Sequence, residues 1–345
     1  PASDNSELTS KFAAPYIVQF REVFRRTFLQ FYRSLPYIMA KFMLFLVGGL
    51  LAGFSFWNSK HSVVGMQNVM FACFLAVVVA APLINQIQEK AIASRELYEV
   101  RESKSNTFHW SLLMICQYLT EIPFSIIFST IYFICWYFPI QLDNSAARCG
   151  MWWFTYCIFF QLYYVSLGLA IVYSSPDLPS ANVLTGLALN FIISFCGVVQ
   201  TPKLMPGFWK FMWRLSPFTY FMDNFLSLGL HERVVECSKQ EYNYLQPPSG
   251  STCGDYLANY FETNNGYVNN PNATSDCAVC LYRVGDEYLK SVGMSYSHRW
   301  RNVGFYCVYI GFNVCAMAGL YYILRVRKMN VTSPFVSLAK RFQKK

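Results

Sequence analysis

The residues whose types could carry chemistry are four histidines, one cluster of cysteines and a few charges inside apolar runs. His61, His109, His231 and His298 lie on separate loops or helix ends, with no ligand partner at metal spacing, so neither a metal centre nor a catalytic constellation is expected. Cys277-Ala278-Val279-Cys280 matches the spacing of redox and zinc motifs. A zinc ribbon needs a second such pair, and the neighbouring Cys237 and Cys253 are sixteen residues apart. Two structural disulfides within Cys237, Cys253, Cys277 and Cys280 are the better reading, and three pairings stay open. No Gly-x-x-x-x-Gly-Lys-Ser/Thr occurs, so nothing is expected to cradle nucleotide phosphates or hydrolyse ATP here. Lys41 and Glu121 sit near the ends of apolar runs, and Asp177 follows another. A proton carrier or ion filter normally needs more intramembrane charge than that. A path lined by Phe, Val and Met with a few Asn, Ser and Thr suits large, apolar, weakly polar solutes.

The elements that must position these residues are membrane spans. Of 345 residues 54% are apolar and 14% charged, well below the charge of soluble domains. The apolar residues fall in blocks of about 20, the length that crosses about 30 Å of hydrocarbon as helix. The net charge of +9 does not indicate nucleic acid, because the basic residues cluster beside the apolar blocks. Spans are expected over 36–57, 63–87, 123–140, 150–173, 181–200 and 303–324. Lys41 is near enough to its span end to snorkel to the head groups. Gly49 and Gly53 form a GxxxG pair, and Ala72, Ala76 and Ala80 a small-residue ladder, both suited to close helix packing. The chain begins with Pro rather than Met, so it reads as part of something longer or as a processed product.

Between the spans, residues 1–10 are polar and read as a linker, and 12–33 as an interfacial helix with an aromatic face opposite an Arg-rich one. The charged stretch 88–107, without Gly or Pro, is expected to be helical. The region 202–230, broken by Pro206, Gly207 and Pro217, is too short to cross and is expected to be re-entrant or interfacial. A polar loop fills 231–298. Basic residues gather in the N-terminal flank, after the second span and in the tail, which puts both termini in the cytoplasm. The 231–298 loop is then external, its cysteines in an oxidising compartment and Asn272-Ala273-Thr274 open to glycosylation. The sequon at Asn330 lies on the cytoplasmic side and should stay unmodified.

Three groups of motifs carry a family resemblance. Gln19 to Arg33 with Pro36-Tyr37 and Lys41, then Arg95-Glu96-Leu97-Tyr98-Glu99-Val100-Arg101-Glu102 with Trp110 and Glu121-Ile122-Pro123, resemble the membrane domain of the ABC transporter G subfamily. Pro206-Gly207-Phe208-Trp209 and Ser216-Pro217-Phe218-Thr219-Tyr220 are similar to that family's region before its large external loop. The resemblance extends over nearly the whole chain and is nearest to the second, C-terminal membrane domain of fungal pleiotropic drug resistance exporters. It implies an all-α polytopic domain of six transmembrane helices with an N-terminal interfacial connecting helix, spanning 11–345. It also implies a plasma-membrane efflux pump for hydrophobic xenobiotics. Its partners would be a second membrane domain and nucleotide-binding domains, which would hold ATP and Mg. By family position, Val79, Leu83, Asn190, Phe191, Ser194 and Phe195 would line the solute path. Val198 and Val199 would form an apolar plug, with Val where some relatives carry the bulkier Leu. Arg95, Glu96, Tyr98, Arg101 and Glu102 would couple to a nucleotide domain. Of the rival readings, a channel lacks filter charges and a membrane-embedded enzyme lacks paired catalytic groups, while a structural or interaction protein, for which the cysteine-rich loop argues, would be excluded by steady ATP-dependent export.

Overall fold

A computed structural model describes residues 11–142 and 145–327. The expected linker 1–10, the basic tail beyond Arg327 and the Asn330 sequon lie outside the described residues. The chain is an all-α polytopic membrane domain. Its helices are α1 (Tyr16–Arg33), α2 (Leu35–Ser55), α3 (Val63–Val78), α4 (Ala80–Leu97), α5 (Trp110–Ile140), α6 (Ala146–Trp153), α7 (Gln161–Ser174) and α8 (Leu178–Ser194). There follow α9 (Gly207–Leu215), α10 (Pro217–Leu230), α11 (Cys253–Thr263), α12 (Gly285–Ser291) and α13 (Arg299–Tyr321).

Among the described residues, five helical stretches are long and apolar enough to cross a membrane: Leu35–Ser55, Val63–Glu102, Trp110–Ile140, Ala146–Ser174 and Tyr296–Val326. The expected fifth span is shorter than its sequence suggested. It ends at Ser194, and its 17 residues make α8 a shorter apolar helix of about 25 Å. The stop is local, because Gly197 adopts φ +89°, and a Cβ there would lie 3.0 Å from Nε1 of Trp213. The charged stretch after the second span is not a separate helix. It continues α4, with only a break at Val79, and ends in a wider turn at Tyr98–Glu102.

Glycines and alanines set the helix packing. Added Cβ atoms at Gly49 and Gly53 would come within 3.1 Å of Tyr132 O and 2.2 Å of Cys135 O, so α2 packs backbone to backbone on α5. Ala72, Ala76 and Ala80 are buried against aromatic side chains. Trp136 donates to Ala72 O at 3.2 Å and Tyr156 to Ala76 O at 3.3 Å. Around them Trp136 and Trp152 stack at 4.5 Å, and Phe221 stacks on Tyr306 at 4.0 Å. Helix α10, which begins at Pro217, is buried along almost its whole length, whereas α9 buries none of its residues. α1 begins at Tyr16, behind Pro15, rather than at residue 12, since the position before a proline disfavours helix.

The segment 231–298 carries its own small core. Strands β1 (Asn243–Leu245), β2 (Tyr267–Val268) and β3 (Cys277–Cys280) form an antiparallel sheet in the order β1-β3-β2. Disulfides join Cys237 to Cys280 and Cys253 to Cys277. The two cysteines of the CxxC are three residues apart on one strand, so they point to opposite faces and take different partners. Glu241 fastens this segment to the membrane helices. Its carboxylate accepts from the backbone N–H of Val64, at the start of α3, and of Ser238, both at 2.8 Å. Burial pushes its pKa up, but these N–H donors outweigh it and hold it below the usual carboxylate value.

Candidate functional site

Two outward surfaces and two buried polar clusters hold the residues singled out above. On α8, Asn190 and Ser194 are exposed and hydrogen-bonded to each other at 3.3 Å, with Phe191 and Phe195 half-buried beside them. Val183 and Leu187 are exposed on the same helix, so its open side is apolar with amide and hydroxyl groups and no charge. Asp177 caps the start of α8 by accepting from Ser180 N–H at 3.0 Å. Beyond its end, Val198 is half-buried and Val199 exposed on the irregular segment that follows Cys196.

On the second span, Val79 lines a cavity of about 320 Å³ with Gly48, Leu51, Leu75 and Pro82. Leu83 does not join it. It is 1% exposed and packs inside the domain, so the expectation that it faces a solute path is corrected. One step along a helix turns a side chain by about 100°, and the outward stripe here runs through Phe71, Leu75, Val78, Pro82 and Asn85 instead.

The charged motif after α4 divides in the same way. Arg95, expected to bear on a nucleotide domain, is buried. It donates to the carbonyl oxygens of Val172, Ser175 (2.7 Å) and Pro176 (2.8 Å), which leave the C-terminal end of α7. Val172 O also accepts from Ser175 N–H at 3.2 Å, and the guanidinium adds to that bond, reaches the carbonyls beyond the helix end and complements the helix dipole. Tyr98 is also buried, donating to Phe108 O at 3.2 Å. Glu102 forms a two-pronged ion pair with Arg26 of α1. These three residues brace the domain internally, which corrects their assignment as contact residues. Glu96 and Arg101 remain exposed, with Leu97 and Val100 between them.

The sequence reading missed one cluster. Lys41 does not snorkel; it is fully buried, 2.6 Å from Glu121 Oε2 and 2.9 Å from Ser125 Oγ. Tyr37 donates to the other Glu121 oxygen, and Tyr164 donates to Ser125 at 3.0 Å. Helices α2, α5 and α7 therefore meet around one ion pair with its hydrogen bonds filled. The available signal was opposite charges in two apolar runs, at similar depth from the same side. Two further partners of the brace were read otherwise in the sequence, Gln19 on the polar face of the interfacial helix and Arg325 in the basic tail. Gln19 is buried and accepts from His109 N–H at 2.9 Å, and Arg325 pairs with Glu99 at 3.4 Å. Among the described residues, no group of His, Cys, Asp and Glu could hold a metal. Asn272 is exposed in a turn of the loop segment, beside the Cys253–Cys277 bond.

Comparison with known proteins places this geometry. A family model described as ABC-2 type transporter matches residues 18–229. Protein SNQ2 of Saccharomyces cerevisiae is 54% identical over 98% of this chain and 22% of its own length. ABC multidrug transporter SNQ2 of Candida glabrata is 50% identical over 94% of this chain and 22% of its own. ABC transporter ATP-binding protein/permease PDR18 of Saccharomyces cerevisiae is 52% identical over 86% and 22%. The chain thus spans about a fifth of the length of these relatives.

Proposed function

The chain belongs to the ABC-2 type transporter membrane family, and from that premise we propose that it forms half of the solute path of an ATP-driven exporter of hydrophobic or amphiphilic compounds. The observation that carries this reading is the open side of α8. Asn190 and Ser194 sit among Val183, Leu187 and Phe191, with no charge beside them on the helix, and both are exposed among the described residues. Such a surface selects solutes weakly, by apolar area with one or two hydrogen bonds, which matches broad specificity. It becomes a path when a second membrane domain faces it. On this reading the chain is the second, C-terminal membrane domain of a plasma-membrane protein; relatives named as a multidrug transporter and as an ATP-binding protein/permease support its being the membrane part of a transporter that also binds ATP. Nucleotide-binding domains of that protein would supply ATP and Mg. ATP would then bias an inward-facing against an outward-facing state of different solute affinity.

The test is solute-stimulated ATPase activity and export by the full-length protein in proteoliposomes. Asn190→Ala and Ser194→Ala should each weaken the half-stimulating concentration of a hydrogen-bonding solute about 2–10-fold, the worth of one neutral hydrogen bond. A purely apolar solute should be little affected. Export that needs no ATP, or indifference of every solute to both changes, would rule the proposal out.

A further inference from the structure

A cavity of about 770 Å³ opens where residues 11–14, the turn after α4, the start of α5 and the end of α13 meet. Its charge is unbalanced. Lys11, Lys104 and Arg325 line it against one carboxylate, Glu99, and that group is already shared by Arg95 at 3.8 Å and Arg325 at 3.4 Å. Lys11 and Lys104 are exposed, and neither makes an ion pair among the described residues. Burial, and then the charge of Lys11, hold the His109 ring below its usual pKa, as a cationic surrounding should. The walls are aromatic. Trp110 lies 6.0 Å from Tyr321, and Phe12 lies edge-on to His109 at 5.9 Å.

Exposed apolar helix surface leads to the cavity. Val308 and Phe312 of the span-length helix α13 are more than half exposed, and Tyr322 and Ile323, between the lining residues Tyr321 and Leu324, are exposed as well. A free phosphate needs neither this volume nor these rings, whereas a glycerophospholipid offers a phosphate, a glycerol and the tops of two chains. Basic pockets between membrane helices near the cytoplasmic surface suit anionic headgroups on general grounds. We propose that this cavity seats the headgroup of an anionic phospholipid from the adjoining leaflet. The phosphate would lie between Lys11 and Lys104, and the glycerol against Trp110 and Tyr321. The inference rests on the cytoplasmic orientation of this end of the domain.

The test uses the full-length protein in nanodiscs of phosphatidylcholine doped with phosphatidylinositol, with retained phosphatidylinositol measured by mass spectrometry after re-extraction. Lys11→Gln/Lys104→Gln, two exposed positions, should weaken retention about fivefold per lysine, or about 25-fold together. Lys203→Gln/Lys210→Gln, at exposed lysines elsewhere, should leave it unchanged. Inorganic phosphate and glycerophosphoinositol should compete poorly. Equal retention by parent and Lys11/Lys104 variant overturns the proposal. So does displacement by either soluble phosphate as efficient as by intact lipid, which would make the occupant a soluble anion. Unchanged lipid with lost solute-stimulated ATPase overturns it too, and assigns the surface to a nucleotide-binding domain. A wrong orientation would show separately, in the glycosylation of Asn272.

Discussion

Lys41 and Glu121 show how much one pair of residues can decide inside a membrane domain. Both are essentially unexposed, and each makes the other tolerable where water is absent. Removing one partner leaves a bare charge, so Lys41→Met or Glu121→Gln should each cost about 3–5 kcal/mol of stability. The double change Lys41→Met/Glu121→Leu should recover much of that loss, because an apolar pair of similar volume is often no worse. Thermal unfolding of the purified protein in detergent checks both. Single variants as stable as the parent would mean that the pair does not clamp α2 to α5.

The helix that continues the second span beyond the membrane is the element through which coupling would pass, and its two faces have different tasks. Arg95, Tyr98 and Glu102 tie it to α7, to the Phe108 backbone and to α1, while Glu96 and Arg101 look outward. Arg95→Ala should therefore lower the folded yield, since it removes three charge-assisted bonds at the end of α7 and leaves only Arg325 on the Ser175 and Pro176 carbonyls. Glu96→Ala/Arg101→Ala should leave yield and melting unchanged and lower only solute-stimulated ATPase, severalfold. Size-exclusion profiles and ATPase assays separate the two outcomes, and an equal loss of yield in both would sink the division. The loop segment is an element of another kind, stapled rather than packed. Its disulfides close stretches of 43 and 24 residues, worth about 4 and about 3.5 kcal/mol by chain entropy. Cys237→Ser/Cys280→Ser should thus open the loop to protease more than Cys253→Ser/Cys277→Ser, as limited proteolysis would report.

For the molecule as a whole, orientation in the membrane remains the governing quantity, because path, coupling surface and lipid cavity all take their sides from it. The basic residues at the N-terminal flank and after the second span lead us to propose that the 231–298 loop lies outside. Asn272 is exposed there and should carry a glycan, so endoglycosidase treatment should shift the parent protein on a gel and leave Asn272→Gln unmoved. A shift that persists in Asn272→Gln and vanishes in Asn330→Gln would invert the topology.

Fold class was legible in the sequence because the hydrocarbon core imposes one length and one composition on every span, and those are local properties. The GxxxG pair, the alanine ladder and the sequons are local in the same sense. So were the four loop cysteines, but their pairing was not, because it depends on which face of β3 each occupies and on what folds against that face. Charges were harder to read. A sequence shows that Lys41, Arg95 and Glu102 are ionisable, and composition then favours the surface. Only the packed structure decides that a carboxylate or an open helix end waits within hydrogen-bonding distance. Leu83 shows the same limit for apolar residues, since the direction it faces was settled by α7 and α8 packing on its side of α4. Burial is a property of neighbours, and neighbours far apart in the chain are chosen only when the helices come together.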